Sequence, residues 1–93
     1  ALLARLADAQ PAAVRARAAA ASEDIEAQMA AADVELAGGD PASAFGRLID
    51  TIRRASGPDR EVLRVRLLEL FETVDPTDPA VLSARRGLMS ALF

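Results

Sequence analysis

The side chains best able to do chemistry in this chain are its carboxylates, and they gather in two places. Glu23, Asp24 and Glu26 lie together near a predicted helix start, while Asp75 and Asp78 flank prolines in a predicted turn. A close carboxylate pair can act as general acid and base when burial or a partner moves the two pKa values apart. Neither group demands that role. The first sits where a helix macrodipole favours negative charge, and the second has the spacing of Asx turn and cap residues. Cys and His are absent from all 93 residues. The chain therefore offers no thiol nucleophile, no disulfide, no Cys-based zinc site and no imidazole base or ligand. Gly38-Gly39 is no phosphate cradle, because no strand precedes it, no Lys follows it and the G-x-G-x-x-G spacing is missing. The residues predict no enzyme, no cofactor and no metal site.

The basic residues, 11 in all, are every one Arg. Asp50 is spaced to meet Arg53 and Arg54 at i+3 and i+4. Arg85-Arg86 has two readings: ion pairing with Glu69, Glu72 or Asp75 of a neighbouring helix, or an exposed contact for a partner. Two adjacent arginines cannot both face a core. With a net charge of -3, no global field draws nucleic acid or an anionic membrane. No apolar run approaches the ~20 residues of a membrane span.

The elements that carry these residues are helical. The chain is 52% apolar but only 3% aromatic, and much of the apolar share is alanine, the best helix former. Such a core is built by close approach of helices. The clearest unit runs from Asp24 to Ser56. Ile25, Met29, Ala32 and Leu36 recur at helical spacing before Ala37-Gly38-Gly39-Asp40-Pro41, and Phe45, Leu48, Ile49 and Ile52 recur after it. The glycines can take the positive φ that ends a helix. Asp40 offers a side-chain cap, and Pro41 fits a first turn. Two antiparallel helices joined by a tight turn are expected.

Upstream, Leu2, Leu3 and Leu6 make a short apolar stripe, and Pro11 is expected to open a second segment to Ala21. A break follows at Ser22-Glu23-Asp24, with Ser22 as the cap, in preference to one helix through residues 11–36. Downstream, Gly57 and Pro58 separate helices. Val62, Leu63, Val65, Leu67, Leu68, Leu70, Phe71 and Val74 then give a stripe wide enough to predict a central helix covered on both sides. Asp75-Pro76-Thr77-Asp78-Pro79 stops it, and Thr77 or Asp78 caps a last helix with Val81, Leu88 and Leu92 on one line. No strand pattern occurs. The expectation is a single domain over 1–93: an N-terminal helical segment (1–21), a first hairpin (22–56) and a second (58–93). The start at Ala1 rather than Met fits a domain excised from a longer protein.

Residues Asp24 to Ser56 resemble a tetratricopeptide unit, with Ala32 and Ala44 at the small positions where its helices touch and Gly39-Asp40 at the turn. A narrower resemblance covers Ala31 to Phe93. A-A-D-V-E-L-A-G-G-D-P-A-S-A-F-G-R-L-I, then L-R-V-R-L-L-E-L-F, then D-P-A-V-L-S-A-R-R-G-L-M-S-A-L-F is similar to the C-terminal tail of thioredoxin-like bacterial co-chaperones, the chaperedoxin or YbbN-type proteins. The resemblance implies an all-α, right-handed tetratricopeptide-like array of antiparallel hairpins with about five to six helices. It also implies an upstream thioredoxin domain that would hold any redox activity, and a cytoplasmic holdase. This chain would bind unfolding clients, or chaperones of the DnaK and GroEL systems, and catalyse nothing.

Tetratricopeptide domains that clamp an acidic C-terminus use Lys and Asn on the inner face of a repeat's first helix. Here that face presents Glu26, Met29, Asp33 and Leu36, so an apolar or Arg-bearing partner is expected there, with Arg85 and Arg86 as a second contact edge. The competing reading is structural: a dimerisation or domain-docking module, with the leucines at 2, 3 and 6 as a docking helix and no client bound. A homodimer is then the partner.

Overall fold

The computed structural model describes the backbone of residues 2–93 and the side chains from Gln10 onward. Five helices follow one another: α1 Leu2–Ala20, α2 Ile25–Ala37, α3 Pro41–Arg54, α4 Gly57–Phe71 and α5 Pro79–Leu92. The described residues contain no strand. The all-α array of antiparallel helices is the expected architecture.

The α2–α3 turn forms as local chemistry dictates. Gly38 is the C-cap at φ -80, and Gly39 alone of the pair takes the left-handed conformation, φ 84. The amide of Gly39 donates to the Leu36 carbonyl at 3.0 Å and that of Asp40 to the Glu35 carbonyl at 2.9 Å. These are the two bonds of a Schellman motif. Asp40 then accepts from the Ser43 amide at 3.2 Å and Pro41 occupies the first turn of α3. Before α5, Asp75 accepts from the Thr77 amide at 2.8 Å and Asp78 from the Ala80 amide at 2.8 Å, so Asp78 is the cap.

Three expectations are corrected. Helix α1 runs through Pro11 without a break; the lost i→i−4 bond is a local cost, offset by the alanine-rich turns after it. The segment before Ala21 is thus one described helix and not two, and the side chains at 2, 3 and 6 lie outside the described ones. The break near 22 is present, but its cap is Asp24, which accepts from the Ala27 amide at 3.1 Å. Ser22 instead lies inside the turn, its hydroxyl on Glu23 at 3.2 Å. Finally, α3 is the central helix, not α4. Helix α3 packs against α2, α4 and α5, burying Ala44, Phe45, Leu48, Ile49, Thr51 and Ile52. Val62 and Val65 of α4 remain 47% and 41% exposed. The molecule measures 48 × 30 × 15 Å, and with helices about 10–12 Å across including side chains, a slab so thin cannot cover both sides of each helix.

The core is continuous across α2 to α5. The Phe45 and Phe71 rings meet edge to face, centroids 4.9 Å apart. Ala32 and Ala44, both 0% exposed, set the close approach of α2 to α3. Replacing Ala44 by Leu is expected to cost about 1–3 kcal/mol by overpacking, read as a lower urea midpoint with helical circular dichroism retained.

Hydrogen bonding from Ser43, its side chain first and its amide second, holds the Asp40 carboxyl below its ordinary 3.8. Thr77 does the same for Asp75, again side chain before amide. A folded pKa below the unfolded one adds stability that is complete above the ordinary carboxylate range and is lost as pH falls through the folded value. Asn also serves as a cap but does not titrate. The double variant Asp40→Asn, Asp75→Asn is therefore expected to show a shallower fall in melting temperature on acidification below about pH 5, measured by thermal melts across that range.

Candidate protein-binding face

The residues expected to make contacts divide between two places. Glu26, Met29, Asp33 and Leu36 fall on the side of α2 that meets α4. Met29 is half-buried, packs on the main core, and edges a depression of about 300 Å³ with Glu61, Val62, Val65, Arg66 and Glu69. Asp33 accepts from Arg66 of α4 at 2.8 Å, a half-exposed cross-link worth at most ~1 kcal/mol. Asp33 and Leu36 also border a second depression, of about 520 Å³, floored by Leu70 and Val74. Glu26 is exposed. The face is thus apolar at its centre and acidic at its rim.

Arg85 and Arg86 lie on α5 and line neither depression. The Arg85 guanidinium stands 5.1 Å over the Phe71 ring, a cation–π contact, and Arg86 is exposed. Neither forms an ion pair among the described residues, so the pairing with Glu69, Glu72 or Asp75 does not occur there. Of the first doublet, Arg53 meets Asp50 at 3.3 Å, while Arg54 turns to the Ser22 carbonyl at 3.3 Å. In the two carboxylate clusters, Asp24 and Asp78 cap helices and Asp75 closes a turn. Among the described residues no group of three or more His, Cys, Asp or Glu could hold a metal ion, and no helix is long and apolar enough to cross a membrane.

Sequence reasoning missed a polar network between α1, α2 and α3. Gln28 and Glu35, 3% and 8% exposed, point from α2 toward the other two helices. The Gln28 amide donates to the Ala18 and Ala21 carbonyls at 2.8 and 3.1 Å; the first is a last-turn acceptor of α1, and the second also accepts from the Asp24 amide. Arg47 of α3 grips Glu35 with two bonds, 2.7 and 3.2 Å, and donates to the Gln28 oxygen at 2.9 Å. Arg15 of α1 approaches Glu35 at 3.7 Å. One signal could have found it: Gln28 and Glu35 are seven apart, on one face of an otherwise alanine-lined helix. Glu35→Ala leaves two arginines without their acid and is expected to cost about 1–3 kcal/mol, with Glu35→Gln intermediate, both read from urea unfolding.

Comparison with known proteins follows the same lines. A family model described as tetratricopeptide repeat matches residues 4–93. The uncharacterized protein Rv1324 of Mycobacterium tuberculosis H37Rv is 51% identical over 72 residues, which is 77% of this chain and 24% of that protein. The uncharacterized protein Mb1359 of Mycobacterium bovis matches with the same identity, 51%, and the same coverage, 77% of this chain and 24% of its own length. The chain therefore spans about a quarter of the length of these curated relatives. No solved structure matches it significantly. A helical array that the repeat model matches almost end to end has one assignment: this chain belongs to the tetratricopeptide-repeat family.

Proposed function

We propose that this chain is the protein-binding arm of a thioredoxin-fold co-chaperone, and that it holds unfolding clients on the α2–α4 face without catalysing a reaction. Tetratricopeptide repeats in general mediate protein–protein interaction. The observation that carries the finer reading is the apolar surface left open beside Met29, where Val62 and Val65 are 47% and 41% exposed. Unfolding proteins expose apolar segments, and an accessible apolar depression between two helices is a place for them. The acidic rim, with Glu26, Glu61 and Glu69, disfavours acidic tails and favours apolar segments that carry basic residues. Consistent with a further domain, the relatives are about four times as long as the matched 72 residues, room enough for one of ordinary size. Handover to the DnaK and GroEL systems is part of the proposal, as is a cytoplasmic location.

Met29→Glu combined with Val65→Glu is expected to abolish suppression of client aggregation, read by light scattering of a chemically unfolded protein, while circular dichroism stays unchanged. Full suppression by that variant would move client binding off this face. Retention of purified DnaK or GroEL by the wild-type chain, and not by the variant, is the expected result in co-elution.

A further inference from the structure

The side of α5 turned from the core carries Leu82, Met89 and Phe93, exposed at 46%, 63% and 96%. Positions 82, 86, 89 and 93 are separated by four, three and four residues, so they form one line along the helix with Arg85 beside it. Helix α5 contains no carboxylate, and Arg85 and Arg86 make it a cationic, apolar ridge.

The α2–α4 face is its chemical complement. Met29, Val62 and Val65 supply an apolar centre, and Glu61 and Glu69 border it, with exposed Glu26 on the same side of α2. The cations nearby are already engaged, Arg66 with Asp33 and Arg64 with Glu61. Glu26 and Glu69 form no ion pair among the described residues.

We propose that the α5 ridge of one copy of this chain docks on the α2–α4 face of a second copy, head to tail. Leu82 and Met89 cover the depression at Met29 and Val65, and Arg85 and Arg86 face Glu26 and Glu69. The two surfaces differ, so the contact is heterologous and adds copies in a row. A contact made by a single helix lies at the small end of protein–protein interfaces, so the assembly is transient. The inference rests on the α2–α4 face being a protein-binding surface, and it makes a second copy and an unfolding client competitors for that face.

Sedimentation equilibrium of the chain over a wide concentration range, at low and high salt, tests this. Average mass is expected to rise with concentration, and less so at high salt. Two charge-reversed variants are each expected to associate at least about tenfold more weakly: Arg85→Glu with Arg86→Glu, and Glu26→Arg with Glu69→Arg. Mixed together they are expected to associate again, because each then offers the other an opposite charge. All four positions are exposed, and circular dichroism checks the fold of each variant. A wild-type chain that stays monomeric throughout overturns the proposal. So does a mixture that remains monomeric, or association lost in Met89→Glu but untouched by reversal at Glu26 and Glu69, which would mean α5 packing on α5. Client capture by the wild-type chain separates the two readings: capture without self-association removes only this inference, and self-association without capture removes only the holdase reading.

Discussion

Helix α3 must lie close to three other helices at once, and the fold depends on its doing so. Ala44 admits α2. Phe45 reaches across to Phe71 of α4. Gly87 lets α5 come so near that a Cβ there would stand 3.2 Å from the Ile49 Cδ1. Alanine admits one neighbour, glycine another, and an aromatic pair joins the third, so that side chains interlock at crystal-like density. In this alanine-rich chain the small residues bring the helices close, and Phe, Leu and Ile side chains of α3, α4 and α5 fill the core between them.

Helix α1 is held by different means. Its apolar contact with α2 is made of Ala18, Ala27 and Ala31 with Val14 alongside, a cluster separate from the main core. Alanine buries little area, so hydrophobic gain there is small. The Gln28–Arg47–Glu35 network supplies what the apolar contact lacks, capping the end of α1 and tying α2 to α3 in one set of bonds. A satisfied polar network of this kind specifies one docking angle, because any other leaves buried groups unpaired.

The same thinness that makes α3 central leaves apolar surface on the outer helices. Val62 and Val65 on α4, and Leu82 and Met89 on α5, lie on faces that no other described helix covers. Those faces bear opposite charge, acidic around α2 and α4 and basic on α5. A protein-binding role fits a surface that leaves apolar depressions open between charged edges.

The sequence by itself determined the class of fold and its local punctuation. Gly39, Asp40 and Pro41, like Asp75 and Asp78, act through backbone groups two to five residues away, so their roles are legible without tertiary knowledge. The lack of Cys and His was equally plain. The stripe of Glu26, Met29, Asp33 and Leu36 could be read from helical spacing, but not which helix it faced. Tertiary structure decided what depends on distant neighbours: that α3 and not α4 is central, that Asp24 and not Ser22 starts α2, and that α1 continues through Pro11. It alone brought Arg47 to Glu35 across 12 positions of sequence and to Gln28 across 19. Helical periodicity fixes which side chains share a face, whereas burial of that face depends on how many helices the packed slab can place against it.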